Sequence, residues 1–195
     1  MSKITNIILA SGSPRRREML KKWGVKTISA DIDETFPAGV EVSLAIQQIA
    51  ARKAAAAAKN ITENALVIGA DTIVYAEEKI LGKPTDEEDA FNMLSALSGR
   101  VHEVMTGVAV LRTGDAKLCA FCEHTKVFFK KLTDEQIREY IKTGEPMDKA
   151  GAYGIQGLGG QLVDHIEGDY DNVVGLPLTA LLKLMKDEFD FEGKE

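Results

Sequence analysis

The chain alternates between short apolar runs and longer amphipathic stretches, and the change of period marks its elements. "NIILA" predicts a strand over residues 4–10, and "PRRREMLKKWG" predicts a helix over 14–23. Ser13 is a natural N-cap, Pro14 suits the first helical position and Gly24 suits the stop. "SLAIQQIAARKAAAAAK", 43–59, is built from strong helix formers. "ALVIGADTIVYA", 65–76, predicts a strand that turns on Glu77–Glu78 into "KILGKP". Next comes a helix that starts in a capping box of Thr85 with Glu88 and ends at Gly99. "VHEVMTGVAVLR" and "KLCAFCEHTKVFFKKL" predict a hairpin across Thr113–Gly114–Asp115. A second capping box, Thr133 with Gln136, opens a helix that stops at Gly144. The glycine-rich "DKAGAYGIQGLGG" leads to expected strands around 161–166 and 172–174, and a last helix runs from Pro177 to about Glu188. Strands and helices mix without regular alternation, which predicts α/β or α+β with a mixed sheet.

Four segments carry charge where that pattern alone does not call for it. Arg15, Arg16 and Arg17 fall in the first turn of a helix, whose dipole already makes that end positive. Lys53 lies on the same stripe as Ile46, Ile49, Ala50 and Ala57, whereas Arg52 lies well round the helix. A lysine facing the core either snorkels to the surface or meets an anion. Asp71 sits in a strand apolar on both faces, with Val67, Gly69, Ile73 and Tyr75 on one and Ile68, Ala70 and Val74 on the other. A carboxylate there is paired, protonated, bonded to backbone amides, or lines a wet cleft. A turn on Glu77–Glu78 would set Lys83 opposite Thr72 and beside Asp71, unless Lys83 is simply a solvated strand end. Guanidinium forks at a helix start, two lysines and a carboxylate suit a polyphosphate and a metal or a water. No "GxxxxGK[ST]" is present, so this is not a Walker-type site.

Composition narrows the partners. With 195 residues, 45% of them hydrophobic, the chain forms one globular domain or two lobes sharing a core. A net charge of −6 argues against a nucleic-acid coat. No apolar run approaches the roughly 18 residues of a membrane span. The N-terminus lacks signal-peptide order, and the expectation is a cytoplasmic protein. Cys119 and Cys122 lie three apart in a strand-like stretch, so their sulfurs should diverge and stay free and reduced.

The blocks "LASGSPRR", "DE" at 33–34, "ARKA", "IGADTIV", "LGKP", "SGRVHEVMTGVAV", "DKAGAYGIQGLGG" and "DNVVGLPL" resemble, in order, the Maf family of nucleoside triphosphate pyrophosphatases, from about residue 5 to 185. The resemblance implies a single Maf-like domain over 1–195. The implied fold is an elongated mixed sheet with flanking helices, two lobes around a central cleft, related to inosine triphosphate pyrophosphatases. It implies hydrolysis between the α and β phosphates with a divalent metal, magnesium or manganese. By position, Ser13, Arg15, Arg16, Lys53 and Lys83 match the family's phosphate-binding residues. Asp71 matches the usual general base, Glu34 (with Asp71) a metal ligand, and Arg15, Thr72 and Gln156 the base-selecting positions. "GAYGIQG" looks like the branch acting on dTTP and UTP; the branch acting on 7-methyl-GTP has a glutamate-containing segment there. Arg17 is outside the motif.

Two classes follow from the resemblance. One is a housecleaning enzyme removing pyrimidine triphosphates, including modified ones. The other is a nucleotide-binding regulator of cell division or septum formation. Intact Asp71 and Glu34 favour the enzyme. The sequence leaves open whether the protein is a monomer or a homodimer.

Overall fold

The computed structural model describes residues 6–29 and 32–191. In chain order the elements are β1 (Ile7–Ala10), α1 (Pro14–Met19), β2 (Lys26–Thr27), α2 (Val42–Ala58), β3 (Leu66–Ala76), β4 (Lys79–Leu81), α3 (Glu87–Leu97), β5 (Val101–Arg112), β6 (Leu118–Phe129), α4 (Asp134–Lys142), β7 (Val163–Glu167), α5 (Tyr170–Val174) and α6 (Leu178–Phe189). The expected start of the first strand, Ile4 and Thr5, lies outside the described residues. The strands form one mixed sheet in the order β2-β1-β3-β5-β6-β7, with β4 paired to β3. β1 runs parallel to β2 and β3, while β4 and β7 pair antiparallel with their neighbours.

The chain divides into two compact units, and β3, β5 and β6 contribute residues to both. The first comprises residues up to Asp71, Thr106–Glu123 and Gly175 onward. Its sheet is buried on both faces. Leu9, Leu66, Ile68, Val108 and Val110 pack with Leu20, Trp23, Leu181, Met185 and Phe189 on one side. Ile8, Ala10 and Val67 meet Ala54 and Ala57 of α2 on the other. This explains the continuous apolar runs, because a strand covered on both faces cannot alternate.

Helix α2 lies on that sheet at unusually close range, and two glycines permit it. A Cβ at Gly69 would sit 2.1 Å from the Ala50 carbonyl oxygen, and one at Gly107 would sit 2.5 Å from that of Ile46. Neither obstacle is a side chain that could swing away. The stripe expected on α2 is the face that packs: Ile46, Ile49, Ala50, Lys53 and Ala57 are buried, and Arg52 is exposed.

The second unit comprises Thr72–Met105 and His124–Val174. Val74, Leu94, Val104, Val127, Phe129, Ile137, Tyr140 and Tyr153 form its core. His102 is buried there, edge-on to Phe129 and Tyr153, with its Nε2 2.8 Å from the Tyr153 hydroxyl. Burial pushes its pKa down to about 4, so it is a neutral core residue.

Several local expectations change. α1 ends at Met19 and a 3₁₀ turn, Lys21–Trp23, carries the chain to Gly24, which is left-handed as a stop should be. The cap of α3 is Asp86, which accepts from the Asp89 amide at 2.8 Å, not Thr85 with Glu88. Asp89 in turn accepts from the Thr85 amide. Residues 172–174 belong to a helix, α5, rather than a strand; a short apolar run fits either period. The β3–β4 register, Val74 with Leu81 and Ala76 with Lys79, is the one a turn on Glu77–Glu78 implies. Both glutamates adopt positive φ, 49° and 61°, as a tight hairpin turn requires, and Glu77 pairs with Arg100. The Thr133–Gln136 capping box forms as expected, and both cysteines are free. No described helix is long and apolar enough to cross a membrane.

Gly69→Ala should destabilise the protein by about 3 kcal/mol or more, because its methyl has only backbone to displace. Thermal or urea unfolding measures this, and an unchanged midpoint would contradict the close approach of α2.

Candidate active site

In the first unit two sequence-selected carboxylates, Asp71 and Glu34, meet at one nitrogen, that of Lys53. Lys53, on the buried stripe of α2, places Nζ 2.8 Å from Asp71 Oδ1 and 2.9 Å from Glu34 Oε1. Asp71 shares the odd-numbered face of β3 with Gly69, the face that α2 covers. Glu34 arrives from the segment before α2. That segment is fixed by Asp33, which accepts from the Thr35 amide at 2.8 Å, and by Arg52, which donates to the Thr35 carbonyl at 3.2 Å.

Lys53 therefore meets anions and does not snorkel. Its side chain is 11% exposed and that of Asp71 15%, whereas Glu34 is 57% exposed and opens the trio to solvent. The ammonium lies between the two carboxylates, and the buried Arg16 guanidinium is electrostatically coupled to both of them. Among the described residues no group of three or more His, Cys, Asp or Glu could hold a metal ion. Two hard carboxylates on one point still suit magnesium or manganese, which take one or two protein carboxylates and complete their shell with water and phosphate oxygens. Glu34 and Asp71 are the residues that would hold such an ion.

The arginines at the start of α1 have separate roles. Ser13 caps the helix by accepting from the Arg16 amide at 3.4 Å. Arg16 is buried, and its guanidinium donates to the carbonyls of Gly175 at 2.7 Å and Ala70 at 2.8 Å, and to Ser11 Oγ at 3.3 Å. Burial lowers its pKa, although Asp71 opposes that shift. Arg16 thus ties the loop before α1 to the residue preceding Asp71 and to the start of the α6 segment. This gives it a structural duty that spacing alone does not reveal. Arg15 is half-buried and Arg17 exposed. With α1 only six residues long, the helix dipole adds less to anion binding than a helix over 14–23 would.

Thr72, Lys83 and Gln156 belong to the second unit. Lys83 is exposed just past β4, beyond the last paired residues, Val74 and Leu81. Gln156 is exposed at the tip of a turn. The loop around it is tied by residues that the sequence reading missed. Glu145 accepts from the Gly159 amide at 3.0 Å, the Leu158 amide at 2.9 Å and the Tyr140 hydroxyl at 3.0 Å. Burial raises the pKa of this carboxyl, but hydrogen bonds from Gly159, Leu158 and Tyr140 outweigh it and hold the net value below the ordinary one. Tyr140 also accepts from the Gly154 amide at 3.3 Å. The signal was the glycines: a Cβ at Gly157 would sit 2.5 Å from the Glu145 carboxylate, and one at Gly159 2.5 Å from the Tyr140 hydroxyl.

The sequence has relatives. The Maf-like protein family matches residues 6–188. The chain belongs to the Maf family. It is 51% identical over 186 residues to a dTTP/UTP pyrophosphatase of Thermoanaerobacter sp. (strain X514), covering 94% of this chain and 97% of that one. It is 52% identical over 184 residues to a dTTP/UTP pyrophosphatase of Clostridium novyi (strain NT), covering 93% and 96%. Among solved structures, the Staphylococcus aureus Ham1 protein aligns with a TM-score of 0.44 at 16% identity, over 81% of this chain and 79% of that one. So low a score adds nothing to the fold of this Maf chain.

Lys53→Met should reduce turnover by about a hundredfold or more, since an ammonium facing a triphosphate stabilises developing charge. It should also lower stability by about 1–3 kcal/mol by stripping Asp71 of its counter-charge. Steady-state kinetics and thermal melting check both, and full activity in the variant would remove Lys53 from the site.

Proposed function

We propose that the chain is a cytoplasmic nucleoside triphosphate pyrophosphatase that converts dTTP and UTP, and modified pyrimidine triphosphates, to the monophosphate and pyrophosphate. It would act as a monomer or a homodimer. The observation that carries the reading is a carboxylate on a buried strand, Asp71, paired to a buried lysine and open to solvent on the Glu34 side. Relatives of about half-identical sequence named dTTP/UTP pyrophosphatase support the choice of substrate.

The water that attacks the α-phosphorus gives its proton to Asp71, and the bond from that phosphorus to the bridging oxygen of the β-phosphate breaks. Ser13, Arg15, Arg16, Lys53 and Lys83 stabilise the charge that accumulates on the leaving pyrophosphate. Arg16 contributes through the carbonyls it holds as well as through its charge. Glu34 and Asp71 would hold a divalent cation, magnesium or manganese, which would supply further neutralisation of phosphate charge; Asp71 would then serve as ligand as well as, or instead of, base.

Base choice rests on Gln156, with Arg15 and Thr72. A carboxamide offers an acceptor and a donor pair, which meet N3–H and O4 of uracil or thymine. Gln156 is exposed and its loop is held by Glu145 and Tyr140, which supports a role beyond tying that loop together.

Pyrophosphate release from a panel of triphosphates should rank dTTP and UTP first among unmodified nucleotides. Gln156→Glu should flatten that ranking, at roughly 1–3 kcal/mol per unmet buried group. A wild-type preference for 7-methyl-GTP, or an unchanged ranking in the variant, would contradict the assignment. Nucleotide binding without pyrophosphate release would point to the regulator instead.

A further inference from the structure

The loop that carries Gln156 is fixed on both sides by a pair of residues to which nothing so far gives a functional role. Glu145 begins the short 3₁₀ turn Glu145–Asp148, directly after Gly144, which is left-handed at φ 73°. Its carboxylate takes the amides of Leu158 and Gly159, on the far side of Gln156. The Tyr140 hydroxyl donates to the same carboxylate and takes the amide of Gly154, on the near side. Lys149 donates to the Glu145 carbonyl at 2.7 Å and so anchors the main chain of Glu145 as well.

From this geometry we infer that Glu145 and Tyr140 are positioning residues for base selection: they set the backbone on both sides of Gln156 before the nucleotide arrives. The inference rests on the reading of Gln156 as the base-selecting residue. Three glycines fit the arrangement. Side chains at Gly157 and Gly159 would collide with Glu145 and the Tyr140 hydroxyl, and one at Gly154 would come within 2.6 Å of the Lys149 side chain. The loop is shaped around its supports, and a preset loop lowers the ordering cost of gripping a base.

Kinetics on dTTP, UTP, CTP and a purine triphosphate test this in Glu145→Gln, Tyr140→Phe and Gln156→Ala, with inorganic triphosphate as a competitive inhibitor. Glu145→Gln replaces one acceptor oxygen by a donor facing an amide. KM for dTTP and UTP should rise about tenfold or more, kcat should fall by less, and the preference over CTP and purines should narrow. Tyr140→Phe should shift the same quantities in the same direction by less. Inhibition by inorganic triphosphate, which has no base, should stay at its wild-type value in both. If Gln156→Ala collapses the ranking while both other variants keep wild-type KM and ranking, the positioning role is overturned. It is equally overturned if inhibition by inorganic triphosphate weakens in parallel with KM, because the residues then support the fold at large. An unchanged ranking in Gln156→Ala overturns the base-selection reading itself. If Glu145→Gln fails to fold, Tyr140→Phe, which keeps its ring in the core, decides alone.

Discussion

The helix that carries Lys53 lies backbone against backbone on the sheet, and the chemistry of the first unit depends on that approach. Gly69 and Gly107 are the contact points; a methyl at either would overlap a carbonyl oxygen of α2. Only at this range does a lysine on the buried stripe reach Asp71, two residues along the same face of β3. The ion pair is expensive to desolvate, and a hydrophobic pair would hold helix and strand together at least as well. Its presence in a core otherwise made of alanine, isoleucine and valine is therefore better explained by function than by stability.

Arg16 extends the same logic to the main chain of the strand. A buried guanidinium needs several acceptors, and here they are the carbonyls of Ala70 and Gly175 and the hydroxyl of Ser11. Asp71 is thus bracketed: Lys53 bonds its carboxylate, and Arg16 bonds the peptide immediately before it. A carboxylate so constrained is held in place, as the proposed proton-handling role requires.

Much of this was legible in the sequence where a residue breaks the pattern of its own element. Lys53 on an apolar stripe and Asp71 in a strand buried on both faces each announced a partner without naming it. Local spacing does not say which helix covers which strand. Gly69 carried that information, but a glycine in a strand reads equally as a bulge or a weak point. The β3–β4 register was legible because a two-residue turn fixes pairing arithmetic, even with glutamates held at positive φ. The cap of α3 was misplaced by one residue because Thr85 and Asp86 both cap helices well. Residues 172–174 do not announce the helix α5, because so short a run as Asn-Val-Val has no resolvable period. Glu145 and Tyr140 are harder to find as loop supports, since their partners are backbone amides thirteen or more residues away; only the glycines at 157 and 159 mark the close approach, without naming what approaches.

The central claim is that Asp71 performs chemistry and is not simply the counter-ion of Lys53. Asp71→Asn separates the two, because the amide keeps the shape and an oxygen for the ammonium while losing the charge and the basicity. Turnover of saturating dTTP by this variant, measured beside its nucleotide affinity, is the direct test. The account predicts a loss of about two to four orders of magnitude in kcat with the fold intact and nucleotide binding retained. Turnover near the wild-type rate would contradict it.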